Sequence, residues 1–197
     1  MYDCGDELAL SYQPNTETPM ILAVGRLVAR KGYMTLLRSM PKILDQYPGA
    51  RLVIVGRGHM KKRLLKNAKK LGIEHAIFIR SSMPFEDLAQ HFRSADLVVY
   101  PSYYEGQGLI PLESLASGTP VVTVNQAPLT EMVDQTVGDL FKTGDSNDLA
   151  SSVCRILDLP EQRLEKAKTG RERVLSKYTY EHNSEDFQRI YHSILKN

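Results

Sequence analysis

Several things are scarce in this chain, and each scarcity closes off a class of protein. Only two cysteines, Cys4 and Cys154, occur in 197 residues. They form no metal-like spacing and require no oxidising compartment, so both read as plain reduced thiols. No apolar run approaches the ~18 residues that a membrane span needs. The opening stretch "MYDCGDELAL" is acidic and lacks the basic region and apolar core of a secretory leader, which reads as a cytoplasmic chain. A formal net charge of +2 is too small to argue for a nucleic-acid partner. Internal repeats, low-complexity tracts and any Asp-x-Asp pair are missing as well.

What is present is an alternation that starts at residue 20. Short apolar runs rich in Val and Ile are followed by a polar turn and then by a segment with helical spacing, the pattern of a parallel sheet wrapped by helices. The runs are Met20–Val24, Arg51–Val55, Ala76–Arg80, Asp96–Tyr100, Val121–Val124 and Asp139–Lys142. Their near-continuous apolarity predicts burial on both faces. Helices are expected over Tyr33–Gln46, Met60–Leu71, Pro84–Ser94, Leu109–Ser117 and Asn147–Leu157. Pro41 should end or kink the first of these, because it offers no N–H to the helix. Beyond Pro160 the chain turns polar and reads as two outer helices, Glu161–Lys177 and Tyr180–Leu195. The fold class is therefore α/β, a Rossmann-like doubly wound sheet of about six strands with extra C-terminal helices over 160–197. Residues 1–19 read as a lead-in or linker to one domain spanning 20–197.

Ligands of such sheets bind beyond the carboxyl ends of the strands, so the loops after each strand carry the candidate chemistry. In "VGRLVARKG" (24–32) the strand ends at Gly25, and Arg26 and Lys31 follow. A planar guanidinium fork and a mobile ammonium suit a diphosphate, although a solvated basic turn has the same appearance. "VGRGHMKKR" (55–63) has two glycines but no third, and no acidic residue ends the next strand, which excludes a dinucleotide fingerprint. His59 in that loop reads as an exposed turn residue. The run "KKRLLKNAKK" (61–70) allows two readings. One is a basic face for peripheral contact with anionic lipid. The other, which the sequence favours, is the solvated side of an amphipathic helix with Leu64, Leu65, Ala68 and Leu71 inward.

The richest loop is "YPSYYEGQGLIPLESLASGTPVV" (100–122). Gly106 and Gly108 permit an unusual path into a helix near Leu109, whose free N–H groups and dipole make an anion site without a side chain. Glu105 lies before this turn, placed to accept hydrogen bonds from sugar hydroxyls. Glu113 lies one turn into the helix, where a carboxylate accepts both hydroxyls of a ribose diol. Two carboxylates flanking a phosphate site suit a nucleotide sugar, while a helix start favoured by Glu105 and an ion pair at Glu113 explains the same spacing structurally. In "TVNQAPLTEMV" (123–133), Glu131 reads as the cap of a short helix.

Taken together, "VGRLVARKG", "LVIVGRG", "SADLVVYPSYYEGQGLIPLESLASGTPVV", "EMV" at Glu131, "VGDLF" and "TGD" (143–145) resemble the C-terminal, donor-binding domain of the family 4 retaining glycosyltransferases with the glycosyltransferase B fold. The resemblance runs in order from about Ile21 to Leu195. Its paired-glutamate motif, with residues 106–112 between the two acids, matches Glu105 and Glu113. The resemblance implies that Gly25, Arg26 and Lys31 meet the donor diphosphate, the cations stabilising it as it leaves. Gly106, Gly108 and the amides of Leu109 and Ile110 would contact phosphate, Glu113 would bind the ribose and Glu105 would lie beside the transferred sugar. Arg80 and Ser81 fall where the base should bind. The implied donor is a UDP-, GDP- or ADP-sugar, with no cofactor and no metal.

Departures from the family pattern are Gln107 between the two glycines, Asn125, Gln126 and Ala127 where two glycines precede Glu131, Arg80 at a usual glycine and His59 at a usual proline. The family's acceptor binds mainly to an N-terminal domain that this chain lacks, so the chain alone is expected to bind donor and transfer poorly or not at all. The last helix, which in the family crosses to that domain, would then expose Phe187, Ile190, Tyr191 and Ile194. A non-catalytic nucleotide or nucleotide-sugar module is the alternative. A flavodoxin-like or receiver-like domain is disfavoured by Gly-Arg at the first strand's end.

Overall fold

The structure, a computed structural model, describes residues 17–195. The lead-in expected over 1–19 therefore lies outside the described residues except at its last three. Six strands, β1 (Met20–Val24), β2 (Arg51–Val55), β3 (Ile77–Arg80), β4 (Leu97–Tyr100), β5 (Val121–Val124) and β6 (Gly138–Phe141), form one parallel sheet in the order β3-β2-β1-β4-β5-β6. The order reverses direction beside β1 and β4, which opens a crevice at their carboxyl ends.

The four central strands are buried on both faces, as expected: every residue of β4 and β5 is buried, and only the first residue of β1 and of β2 is not. At the sheet's edge the expectation is corrected: in β3 only Ile77 is buried, and Phe78 and Arg80 are exposed because β3 ends the sheet and, among the described residues, no further strand covers that side. The helices are α1 (Tyr33–Gln46), α2 (Lys61–Lys70), α3 (Phe85–Ser94), α4 (Leu109–Ala116), α5 (Leu129–Met132), α6 (Ser146–Leu157), α7 (Pro160–Lys177) and α8 (Tyr180–Leu195). α1 packs on α6 across one face of the sheet, and α4 on α7 across the other. Asp145 caps α6 by accepting from the amides of Asn147 and Asp148.

Three local expectations are corrected. Pro41 neither ends nor interrupts α1, which continues to Gln46. Leu36, Leu37 and Met40 before it and Ile43 after it lie in one buried face, so packing outweighs the single hydrogen bond that Pro41 withholds from Leu37. Glu131 does not cap α5 but sits inside its first turn, and Pro128 holds the cap position. On α2, Leu64 and Ala68 are buried, but Leu65 and Leu71 are 44% and 39% exposed. The buried face of α2 is thus narrower than its sequence suggests.

α7 is fixed beneath the sheet by Arg163, whose guanidinium lies 2.9 Å from Asp96 with both side chains 2% exposed. Asp96 also accepts the amide of Met20 at 2.7 Å, tying the start of β1 to the same carboxylate. No residue of α8 is buried, and Phe187, Ile190, Tyr191 and Ile194 are all exposed.

Candidate functional site

The chemistry gathers at the carboxyl ends of β1 and β4. After β1 the chain makes a short 3-10 turn, Ala29–Lys31, and Gly32 takes a left-handed conformation to start α1. That turn brings Arg30 and Lys31 under the loop of residues 101–108, which joins β4 to α4. Lys31 is only 8% exposed, a costly place for an ammonium without partners. It has two: its Nζ donates to Glu105 Oε1 at 2.5 Å and to the Tyr100 hydroxyl at 2.6 Å. The same nitrogen stands 4.7 Å from the centroid of the Tyr100 ring.

Glu105 Oε1 also accepts from the Ser102 hydroxyl and, at 3.4 Å, from Arg30, whose guanidinium is anchored on the Tyr104 carbonyl at 2.9 Å. Burial pushes the Glu105 carboxyl up, but the bonds from Lys31 and Ser102, the Lys31 charge and the Tyr100 hydroxyl outweigh it and hold the acid below its ordinary range. Burial first, and the Glu105 charge second, raise Tyr33 and Tyr100, so both phenols stay protonated. The result is a compact knot in which Glu105 neutralises Lys31.

Directly after this knot, Gly108 turns the chain into α4 with φ +87°, and a Cβ there would stand 2.6 Å from the Leu129 side chain. No side chain caps α4. Pro111 at its third position has no N–H, which leaves the amides of Leu109 and Ile110 as the open donors of the first turn. The Leu109 side chain is 56% exposed, so this end of α4 faces out of the core. Glu113 is half-buried on the second turn, on the same short helix as those amides.

Beside the knot lies a cavity of about 280 Å³ between the ends of β1 and β2, bounded by Gly25, Arg26, Gly56, Arg57, Met83 and Leu88 among others. Its waist is set by Gly56, where a Cβ would fall 1.9 Å from the Gly25 carbonyl oxygen. Cavity and knot adjoin at Gly25, since a Cβ built there would be 3.1 Å from the Tyr33 hydroxyl and 3.9 Å from Lys31 Cε. A larger cleft of about 600 Å³, lined by Asp139, Arg155, Asp158 and Lys166, opens at the start of β6. Its cations are already engaged: Arg155 pairs with Asp139 at 2.7 Å, and Lys166 donates to the Gln135 and Gly138 carbonyls.

The two cations assigned to one diphosphate occupy different settings. Arg26 is exposed at the cavity wall, whereas Lys31 is buried in the knot. Gly106 is exposed, with open space where a Cβ would go. Arg80 and Ser81 are exposed and do not line the cavity; Ser82 and Met83 do. Arg80 still belongs to β3, paired in register with Val55, and its carbonyl accepts the Gly56 amide at 3.0 Å, so the chain reaches over the cavity only two residues later. Sequence reasoning missed Tyr100, Ser102 and Arg30, the remaining members of the knot. Ser102 stands three residues before Glu105 and Arg30 adjoins Lys31, but nothing local says that the two segments meet. Among the described residues, no three His, Cys, Asp or Glu side chains gather in a group able to hold a metal, and no helix is long and apolar enough to cross a membrane.

The family pattern described as glycosyl transferases group 1 matches residues 6–173. An uncharacterized glycosyltransferase of Methanocaldococcus jannaschii is 35% identical over 175 residues, covering 87% of this chain and 44% of the relative. Sucrose-phosphate synthase from Thermosynechococcus elongatus has a similar structure, with TM-score 0.81 and 29% identity over 92% of this chain and 47% of that one. The structure of HepE from Anabaena in complex with UDP-glucose superposes with TM-score 0.81 at 20% identity, over 89% of this chain and 49% of the other. The chain spans about half the length of these proteins.

Proposed function

The chain belongs to the group 1 glycosyl transferases, and from that premise we propose that it is the donor-binding half of a hexosyltransferase acting on a nucleoside diphosphate sugar and a hydroxyl acceptor. One observation carries the reading: the Lys31–Glu105 knot stands against Gly25 of the cavity and is followed at once by the open first turn of α4. The cavity takes the base, Glu113 the ribose, and Arg26 with the Leu109 and Ile110 amides the diphosphate. HepE, which shares the fold, was solved with UDP-glucose.

Lys31 and Glu105 then act by exchanging partners. A diphosphate is a stronger partner for a buried ammonium than one carboxylate, so Lys31 turns to the incoming phosphate. Glu105 is released from it and accepts hydroxyls of the sugar. As the bond from the anomeric carbon to the diphosphate breaks, charge grows on the leaving oxygen, and Arg26, Lys31 and the α4 amides stabilise it from fixed positions. This arrangement needs no metal ion, and the transfer retains configuration at the anomeric carbon. The acceptor sits on a preceding domain that also covers the apolar side of α8, and the enzyme works in the cytoplasm.

Calorimetric titration of the chain with UDP, GDP and ADP tests the donor site. One of the three binds, and Arg26→Ala and Glu113→Ala each weaken it by about tenfold to a hundredfold, the value of a charged hydrogen bond. Absence of binding by all three nucleotides, or binding indifferent to both substitutions, overturns the assignment.

A further inference from the structure

Between Asp45 and Glu74 the chain contains no acidic residue, and α2 lies inside that interval with Lys61, Lys62, Arg63, Lys66, Lys69 and Lys70 on ten residues. The chain as a whole carries only +2, so this one helix concentrates a charge that the rest of the molecule offsets. None of the ion pairs among the described residues involves these cations. Lys69 and Lys70 suit the negative end of the helix dipole, but Lys61, Lys62 and Arg63 stand in the first turn, where the dipole opposes them and no acid compensates. Internal stability accounts for none of the three.

The apolar residues of α2 deepen the mismatch. Only Leu64 and Ala68 are buried, which is enough to seat the helix. Leu65 is 44% exposed, one turn from Lys61, Lys62 and Lys69, and Leu71 just past the helix is 39% exposed. A helix that only needed to stay soluble gains nothing from a leucine among its lysines.

We infer that α2 is a docking surface for an anionic lipid bilayer. The lysines meet the headgroup charge, and Leu65 enters the boundary between headgroups and acyl chains, as in interfacial amphipathic helices. Nucleic acid fits less well: the helix has a single arginine, no aromatic residue for stacking, and a leucine that would face phosphates. The loop leading into α2 carries Gly56 and Arg57 of the cavity, so docking holds the cavity close to the lipid surface.

Sedimentation of the 197-residue chain with vesicles tests this without donor or acceptor, so its outcome is independent of nucleotide binding. At low salt the chain pellets with phosphatidylcholine vesicles containing phosphatidylglycerol and not with pure phosphatidylcholine, and 1 M salt releases it as the screening length shrinks to about 3 Å. Each charge removed weakens partition by about fivefold, so Lys62→Gln, Lys66→Gln, Lys69→Gln and Lys70→Gln together lower it by more than about a hundredfold. All four side chains are exposed, and unchanged circular dichroism checks that the variant is folded. A Phe187→Ser, Ile190→Ser variant on α8 keeps the dependence on anionic lipid. Partition equal for neutral and anionic vesicles, partition unaffected by the four substitutions, or tighter binding to an oligonucleotide at the same salt overturns the inference.

Discussion

Glu105→Gln isolates what the site costs the protein to maintain. The substitution keeps the shape of the side chain and one acceptor oxygen but removes the charge that faces Lys31 in a pair whose side chains are 10% and 9% exposed. Removing one partner of a buried ion pair outright costs about 3–5 kcal/mol, because the other charge stays buried. Here the Tyr100 hydroxyl at 2.6 Å and the new amide oxygen still accept from Lys31, so about 2 kcal/mol is the expected loss. With a urea dependence of about 1–3 kcal/mol per molar, the unfolding midpoint falls by roughly 1 M at pH 7. Because the folded Glu105 carboxyl titrates below its unfolded value of about 4.3, its contribution is complete above that pH and is lost as pH falls through the folded value. Urea titrations of both proteins from pH 7 to pH 3.5 should therefore show the gap narrowing on the acid side. A Lys31→Met, Glu105→Gln double variant recovers part of the loss. Equal midpoints at pH 7, or a gap that persists undiminished at the acid end, would refute the neutralised-pair reading of the knot.

Three further outcomes are expected. Gly56→Ala drives a methyl group to within 1.9 Å of the Gly25 carbonyl oxygen, so the two loops must separate, and calorimetry should show nucleotide binding lost by at least about tenfold. Arg163→Met leaves the Asp96 carboxylate buried without its cation and lowers stability by about 3–5 kcal/mol in urea unfolding. Nε and Nη2 of Arg163 have no hydrogen-bond partner, so adding Asp96→Asn, which still accepts the Met20 amide, should restore a large part of that loss. Pro41→Ala returns an N–H donor to the Leu37 carbonyl inside a helix that already continues through this position, and thermal unfolding should shift upward by a few degrees, the equivalent of about 1 kcal/mol.

The sheet was readable because a central parallel strand, buried on both faces, writes an apolar run into the sequence, and the edge strands β3 and β6 keep enough of that pattern to complete the order. Strand and helix ends moved by a residue where a neighbouring turn claimed it: Ala76 belongs to the 3-10 turn Glu74–Ala76 and not to β3, and Met60 and Leu71 cap α2 instead of joining it. Helix faces were less readable. The periodicity of α2 placed Leu65 and Leu71 inward, but the width of a buried face depends on what packs against the helix, and α2 sits on α1 and a short turn with little area to offer.

The first loop separates local from long-range information. Arg26, Arg30 and Lys31 lie within six residues and carry the same charge, so spacing alone gives them one shared role. Their surroundings differ because a loop 74 residues away in sequence passes over one end of the segment. Lys31 falls beneath that loop and is buried against Glu105; Arg30 stands at its rim, half on the Tyr104 carbonyl; Arg26 lies outside it, on the wall of the cavity. On the donor-site proposal, the cation that is buried against a carboxylate in the free protein is the one that gives that partner up when a diphosphate arrives. On the same proposal, Arg26, exposed on the cavity wall, then sets the affinity for the nucleotide, while the Lys31–Glu105 pair sets what each substitution costs in stability.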